Sequence, residues 1–83
     1  MPQMMKLDIV SPEGQLFSGE IEVATFPGDK GSFTVLYNHA PIISTLGIGC
    51  IRWVQNGVEE SLAIKSGFVE VENNAIVACV EVN

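Results

Sequence analysis

Basic residues are scarce in this sequence: four lysines and arginines stand against ten aspartates and glutamates, and the formal net charge is −6. The four basic residues are spread along the chain, as Lys6, Lys30, Arg52 and Lys65. A nucleic-acid-binding surface needs clustered cations that neutralise phosphates. The sequence therefore argues against nucleic-acid binding.

Side chains that commonly bind metals or act in catalysis are also scarce. The chain has one histidine, His39, and two cysteines, Cys50 and Cys79, which are too dispersed for a zinc-ligand cluster. It contains no P-loop and no GxSxG motif, and Gly47-Ile48-Gly49 is interpreted as a twisted strand crossing rather than a dinucleotide loop. We expect no catalytic residue, no metal and no cofactor. The two cysteines, each within an apolar run, favour reduced thiols in a cytosolic protein.

Long apolar segments are missing as well. No run approaches the roughly 18 apolar residues that a membrane helix needs, and the first residues lack the apolar centre of a signal peptide. Even so, 47% of the residues are hydrophobic. A domain this small cannot easily bury so much apolar surface, which predicts that a partner protein covers part of it.

The helical period of 3.6 residues is absent, and alternating strand patterns take its place. Turn signals separate these patterns at short intervals, which is typical of an all-β protein. We predict one domain over residues 1–83, a β-sandwich or flattened barrel of about ten short strands. The segments with strand character are residues 5–10, 15–17, 20–26, 33–37, 42–46, 48–54, 58–64, 68–72 and 75–82.

Some of these segments carry specific predictions about turns and faces. Residues 15–17 are expected to be a short strand that ends in a turn at Ser18-Gly19. In residues 20–26 we expect Ile21, Val23 and Thr25 to share one face. Residues 75–82 are apolar at almost every position, which predicts a central strand buried on both sides. Trp53 is expected to be a core or interface anchor.

Two turns stand out. Asn56-Gly57 is the strongest hairpin signal, because a type I′ turn needs positive φ at both central residues. Residues 27–31 predict a tight turn in which glycines flank the charged pair Asp29-Lys30. His39 lies at another corner, and since no nucleophile or carboxylate stands near it in sequence, it is interpreted as a corner or interface residue.

Lys30 raises a hypothesis from a different functional class. Lipoyl and biotinyl carrier domains are also small, acidic and all-β, and they present the modified lysine on a tight hairpin. Those domains follow the lysine with alanine or methionine, whereas Gly31 follows it here. A solvated turn lysine is therefore favoured, and a carrier domain with Lys30 modified is kept as the alternative.

Several motifs of the sequence resemble one family in their order and spacing. They are Leu7-Asp8-Ile9-Val10-Ser11-Pro12-Glu13-Gly14, Phe17-Ser18-Gly19, the loop from Pro27-Gly28 to Gly31, His39-Ala40-Pro41 and Ser66-Gly67-Phe68-Val69-Glu70-Val71. Together they resemble the epsilon subunit of F-type ATP synthases, which is called delta in mitochondria. Tyr37-Asn38 departs from the family's usual proline-glycine, although asparagine tolerates turn geometry. Ser66-Gly67 departs from the usual glycine pair.

The resemblance implies a non-catalytic subunit of the central stalk, a ten-stranded sandwich that binds the gamma subunit and the c-ring and couples proton flow to ATP synthesis. By family position, the c-ring side comprises Gly28, Asp29, Lys30, Gly31 and Ser32. The gamma side comprises Ser11, His39, Ala40, Pro41 and Ser44.

The resemblance also implies a cellular setting. We expect a peripheral protein at the cytoplasmic face of the bacterial inner membrane, touching the membrane only through the c-ring. Active sites are expected on other chains, with no obligate homo-oligomer and no cofactor. Most family members carry a helical arm after the sandwich, and we expect this chain to lack both the arm and its inhibition of ATP hydrolysis.

Overall fold

The computed structural model describes residues 3–82, and this part of the chain contains nine strands and no helix. The strands are β1 (Met5–Ser11), β2 (Gly14–Ile21), β3 (Val23–Gly28), β4 (Gly31–Val35), β5 (Ile42–Leu46), β6 (Gly49–Gln55), β7 (Val58–Ile64), β8 (Ser66–Glu72) and β9 (Ala75–Glu81). The prediction of an all-β fold is confirmed, with nine strands in place of about ten. The predicted domain limits, residues 1 and 83, lie outside the described residues.

The strands form one curled sheet in the order β2-β1-β9-β8-β5-β3-β6-β7, with β4 paired to β3. All pairs are antiparallel except β1 with β9, which run parallel. The sheet bends where β3 and β5 share only the pair Gly28 and Leu46. It therefore folds into two layers, one of β2, β1, β9, β8 and β5 and the other of β4, β3, β6 and β7.

The core lies between these two layers and consists of apolar side chains at alternate strand positions. Its members are Met5, Leu7, Ile9, Ile21, Ala24, Phe26, Val35, Leu46, Ile51, Trp53, Ile64, Val69, Val71, Ile76, Ala78 and Val80. Trp53 belongs to this core and packs on Phe17 with 4.8 Å between ring centroids. In residues 3–82 no polar or charged residue is fully buried, so packing of apolar surface is the main stabilising term.

The predicted turns follow from residues that accept a left-handed backbone. Asn56 and Gly57 have φ of 52° and 77° and join β6 to β7 in a two-residue turn, as predicted. Asn73 and Asn74, at 51° and 61°, do the same between β8 and β9. Asparagine can adopt this left-handed backbone conformation because its short polar side chain hydrogen-bonds to nearby groups.

The predicted turn at Ser18-Gly19 is wrong, because β2 continues through it to Ile21. Ser18 pairs with Asp8 and Gly19 with Leu7, and the Ser18 hydroxyl donates a hydrogen bond of 2.7 Å to the Asp8 carboxylate. A long neighbouring strand, β1, thus holds a serine-glycine pair in extended conformation. Tertiary pairing overrides the local turn preference.

The predicted face shared by Ile21, Val23 and Thr25 is also wrong. A bend at Glu22 separates β2 from β3 and reverses the alternation, so Ile21, Ala24 and Phe26 are the buried residues. The chain passes from one layer to the other at this bend. When the chain changes layer, the opposite side of the strand faces the core. The two-residue alternation of the sequence does not show where this change occurs.

The prediction for residues 75–82 is half right. β9 is central in its layer, between β1 and β8, but only Ile76, Ala78 and Val80 are buried. Val77 is exposed and Cys79 is partly exposed on the opposite side. A two-layer sandwich covers one side of each strand, so the second apolar side of β9 faces solvent in this chain.

Candidate functional site

Four neighbouring strands, β5, β8, β9 and β1, turn one side away from the core, and we call this side the outer face. Strand register places its side chains in rows. The first row runs Val10, Cys79, Phe68, Thr45, the second runs Asp8, Val77, Glu70, Ile43, and the third runs Lys6, Ala75, Glu72.

The outer face is more apolar than the outside of a sandwich usually is. Ile43, Phe68 and Val77 are 76%, 50% and 41% exposed, and they lie on three adjacent strands. Antiparallel strands with one solvated side normally alternate between apolar core residues and polar outer residues. Exposed apolar side chains gathered on one face are a feature of protein-binding surfaces.

Phe68 separates two grooves at one end of this face. The first groove, about 400 Å³, runs along Val10, Ser11, Cys79 and the start of β8. The second groove, about 680 Å³, lies between the β3–β4 hairpin tip and β5. It opens because β5 meets β3 only around Leu46, where the Asp29 N–H donates to the Thr45 carbonyl at 3.2 Å and the Gly47 N–H donates to the Pro27 carbonyl at 2.8 Å.

The five residues predicted for the c-ring side lie together at one end of the molecule. Asp29 and Lys30 form the exposed two-residue tip of the β3–β4 hairpin, and Gly28 pairs with Gly31 at its base. Ser32 follows, exposed, in β4. Gly28 permits this tight base, because a Cβ there would lie 2.7 Å from the Gly31 carbonyl oxygen. The prediction of a tight turn with a charged tip at residues 27–31 is confirmed.

The five residues predicted for the gamma side do not form one compact patch. Ser11 ends β1 at the same end as the hairpin tip, where its hydroxyl donates to the Gly14 carbonyl at 3.2 Å. His39, Ala40 and Pro41 precede β5 and lie at the opposite end. Ser44, in β5, donates to the Thr45 carbonyl at 3.0 Å. These residues border the outer face rather than fill it.

Ser44 connects the two predicted sets. It is half-buried on the side of β5 that also carries Ile42 and Leu46. The divergence of β5 from β3 leaves it in the wall of the second groove, together with residues 28–31. One of the residues predicted for the gamma side, Ser44, is therefore adjacent to the predicted c-ring side at this groove.

The corner at residues 38–41 is held by hydrogen bonds. The His39 N–H donates to the Leu36 carbonyl at 3.0 Å, and the ring Nδ1–H donates to the Ala40 carbonyl at 2.7 Å. Asn38, with φ of 64°, donates its N–H to the Asn74 side-chain oxygen at 2.6 Å, and the Asn74 amide donates back to the Asn38 side chain at 3.1 Å. His39 thus stabilises the corner, as interpreted from the sequence.

Sequence reasoning missed the centre of the outer face. Val10, Ile43, Phe68, Val77 and Cys79 were not among the predicted site residues. Two signals in the sequence could have located them. The first is the unbroken apolar run in β9, and the second is the alternation in β8, which places Phe68 on the opposite side of the strand from Val69 and Val71. Their assembly across three or four strands depends on register, which alternation alone does not fix.

The described residues carry few features of other kinds of site. Residues 3–82 contain no helix long and apolar enough to cross a membrane. In the same range no three His, Cys, Asp or Glu side chains are grouped closely enough to hold a metal ion. Cys50 and Cys79 are both free thiols.

Comparisons with known proteins agree with one another. A family model described as ATP synthase, Delta/Epsilon chain, beta-sandwich domain matches residues 4–82. The ATP synthase epsilon chain of Desulfitobacterium hafniense is 46% identical over 70 residues, which are 84% of this chain and 53% of that protein. The ATP synthase epsilon chain of Nitratiruptor sp. is 44% identical over 78 residues, 93% of this chain and 60% of that protein. The chain spans little more than half the length of these relatives.

Solved structures show the same fold at low sequence identity. A chain in the cryo-EM structure of the Euglena gracilis mitochondrial ATP synthase, comprising OSCP, F1 and c-ring, superposes with a TM-score of 0.88 at 18% identity, over 96% of this chain and 52% of that one. A chain in the central stalk and c-ring structure of the Tetrahymena thermophila mitochondrial ATP synthase gives 0.78 at 15% identity, over 95% and 64%. At such identities the likeness concerns the fold alone.

Proposed function

The chain belongs to the ATP synthase delta/epsilon chain family, in its β-sandwich domain, and we propose that it is a non-catalytic subunit in the central stalk of an F-type ATP synthase. In this role it binds the gamma subunit, rests on the c-ring and couples proton flow to ATP synthesis at active sites on other chains. The observation that carries the proposal is an exposed apolar outer face on a chain with this family match. The remaining length of the relatives lies outside this chain, so the proposal concerns the sandwich.

The outer face supports the gamma contact. Ile43, Phe68 and Val77 offer apolar area without rearrangement of the fold, and interface cores are enriched in such side chains. The predicted gamma residues border this face at both ends, with Ser11 beside the first groove and Pro41 near Glu72. The gamma subunit would lie across the face between them.

The hairpin tip supports the c-ring contact. Asp29, Lys30, Gly31 and Ser32 are all exposed at one end of a molecule whose long axis is 37 Å. A protruding polar tip fits against other polar loops, and it would touch the membrane only through the c-ring. The proposal further includes one domain over residues 1–83, no obligate homo-oligomer, and a peripheral place at the cytoplasmic face of the bacterial inner membrane.

The carrier alternative is disfavoured by the family match, although Lys30 does lie on a two-residue hairpin tip. Intact mass spectrometry of the chain from its native cell separates the two functions. We expect the mass of the unmodified sequence, about 8.9 kDa. An adduct of lipoyl or biotinyl size on Lys30 would contradict the stalk function.

A thiol footprint tests the gamma contact, because the chain has one cysteine inside the outer face and one outside it. Cys79 lies between Val10 and Phe68, whereas Cys50 is exposed on β6 in the other layer. We expect binding of gamma to slow alkylation of Cys79 at least about tenfold, since interface cores exclude water. Cys50 is the internal control and should keep its rate. An unchanged alkylation rate at Cys79 in a complex that forms would contradict binding through this face.

A further inference from the structure

We propose that the partner covering the outer face carries a lysine or arginine that pairs with Glu70. The inference rests on the proposed function, in which that partner is the gamma subunit, and it adds what chemistry the partner's surface must have. Its starting point is the position of Glu70 in the second row of the outer face, with Val77 on one side and Ile43 on the other. Both neighbours are exposed apolar side chains. On the same side of β8, Phe68 precedes Glu70 and Glu72 follows it, so the carboxylate has apolar side chains on three of its four sides.

Asp8, in the same row, shows what a satisfied carboxylate on this face looks like. Its Oδ1 accepts hydrogen bonds from the Ser18 hydroxyl at 2.7 Å and the Gln15 amide at 3.2 Å. The Lys6 ammonium lies 3.5 Å from the same oxygen. These donors come from β1 and β2, so the Asp8 carboxylate has its hydrogen-bond partners within the chain.

Glu70 has no such donors. Across residues 3–82 it makes no side-chain hydrogen bond, and the one salt bridge of this part of the chain joins Lys6 to Asp8. Of the four basic residues only Lys6 belongs to the outer face by register, opposite Ala75. Lys30 is in the hairpin tip, Arg52 in the other layer and Lys65 in the β7–β8 connection. Within residues 3–82, therefore, no lysine or arginine is placed to pair with Glu70.

Covering Ile43, Phe68 and Val77 also removes water from the carboxylate between them. Removing water from an unpaired charge is strongly unfavourable, and the burial of one or two apolar side chains does not compensate for it. A partner that fits this face must replace the lost water with hydrogen-bond donors, and a cation does so most strongly. The net charge of −6 points to a basic partner surface as well.

The same geometry argues against a second copy of this chain as the occupant. A copy would bring another Glu70 and another Glu72, with Lys6 already engaged by Asp8. Like charges in a closing apolar interface oppose association. The outer face thus favours a basic partner over self-association, which agrees with the proposal of no obligate homo-oligomer.

Glu70→Gln tests the inference, with Glu59→Gln as the matched control. Both glutamates are exposed, but Glu59 lies on β7 in the other layer. Affinity for the gamma subunit of the same organism would be measured by calorimetry at low and high salt. We expect Glu70→Gln to weaken binding at least about tenfold and to reduce the salt dependence, because a pair within the interface is lost. Glu59→Gln should stay within about twofold, because an exposed charge outside the contact contributes little.

A charge reversal adds a second measurement. Glu70→Lys should weaken binding further, and reversal of one lysine or arginine of gamma to glutamate should restore it. Circular dichroism would confirm that each variant is folded, which we expect because the Glu70 side chain is exposed.

The outcomes distinguish the inference from the function on which it rests. Unchanged gamma affinity in Glu70→Gln would overturn the cation pairing and leave the stalk function in place. Failure of the unaltered chain to bind gamma would overturn the proposed gamma contact and the inference with it. A stable homodimer of the unaltered chain in light scattering, with Cys79 protected from alkylation, would assign the face to a second copy and contradict the inference.

Discussion

At the scale of single residues, Asn38 shows how a substitution can preserve a corner. By the resemblance, the family usually has glycine at this position, and the backbone here has φ of 64°. Asparagine supplies that conformation, and its side-chain oxygen accepts a hydrogen bond from the amide of Asn74, which lies 36 residues away. The Asn38 backbone N–H donates a second hydrogen bond to the Asn74 side chain. The Asn74 carbonyl also accepts the Lys6 N–H at 2.9 Å. The corner before β5 is thus fixed to the β8–β9 turn and to β1.

This arrangement predicts a ranking of variants at Asn38. We expect Asn38→Ala to lower the free energy of unfolding by about 2 kcal/mol, since alanine is strained at positive φ and the hydrogen bond from the Asn74 amide to the Asn38 side chain is lost. Asn38→Gly should lose about half as much, because glycine accepts the backbone conformation. Urea denaturation followed by circular dichroism measures both. If the two variants were equally stable, backbone strain at this position would not contribute.

At the scale of elements, the β6–β7 hairpin depends on a turn whose sequence and structure agree. Asn56-Gly57 has positive φ at both residues, and the Gly57 N–H donates at 3.0 Å to the Glu22 carboxylate. Glu22 is the bend at which the chain changes layers. The turn of one hairpin is therefore hydrogen-bonded to the junction between the two layers.

The hairpin turn gives a second prediction. Gly57→Ala should lower the free energy of unfolding by about 1 kcal/mol, because φ of 77° places a Cβ against the following carbonyl. Asn56→Gly is the matched control in the same turn and should change stability by less than about 0.5 kcal/mol, since glycine also suits positive φ. Thermal and urea unfolding of both variants would check this. A larger loss from Asn56→Gly than from Gly57→Ala would contradict the type I′ explanation.

At the scale of the whole molecule, the hairpin tip and the outer face are neighbouring surfaces with different chemistry. The tip is polar and protrudes at one end, while the face is apolar and runs along the side of one layer. They meet at the second groove, whose walls include residues 28–31 and Phe68. Under the proposed function, one rigid sandwich would contact the c-ring and gamma at once, which is what coupling requires.

The neighbouring surfaces can be separated by mutation. We expect Asp29→Ser with Lys30→Ser to leave gamma affinity within about twofold, because exposed tip charges outside that contact contribute little. The same double variant should reduce ATP-driven proton pumping in membrane vesicles relative to ATP hydrolysis. Asn73→Gly, in the exposed turn at the opposite end, is the control and should preserve both. A loss of gamma binding in the tip variant would show that the tip belongs to the gamma contact.

The sequence by itself determined what depends on near neighbours in the chain. Turn residues that accept positive φ determined the hairpins, and the period of two identified the all-β class. The tip at Asp29 and Lys30 was likewise predictable, because a glycine-flanked pair closes a turn with little help from elsewhere.

Only the tertiary structure decided what depends on strands that are distant in sequence. The parallel pairing of β1 with β9 brings Val10 beside Cys79, and β8 then adds Phe68 to the same row. Alternation shows that a strand has two different sides, but it does not show which side another layer covers. For β9 both sides are apolar, and the two-layer packing left one of them exposed. That choice, made by contacts across the whole fold, creates the outer face and leaves Glu70 without a partner inside it.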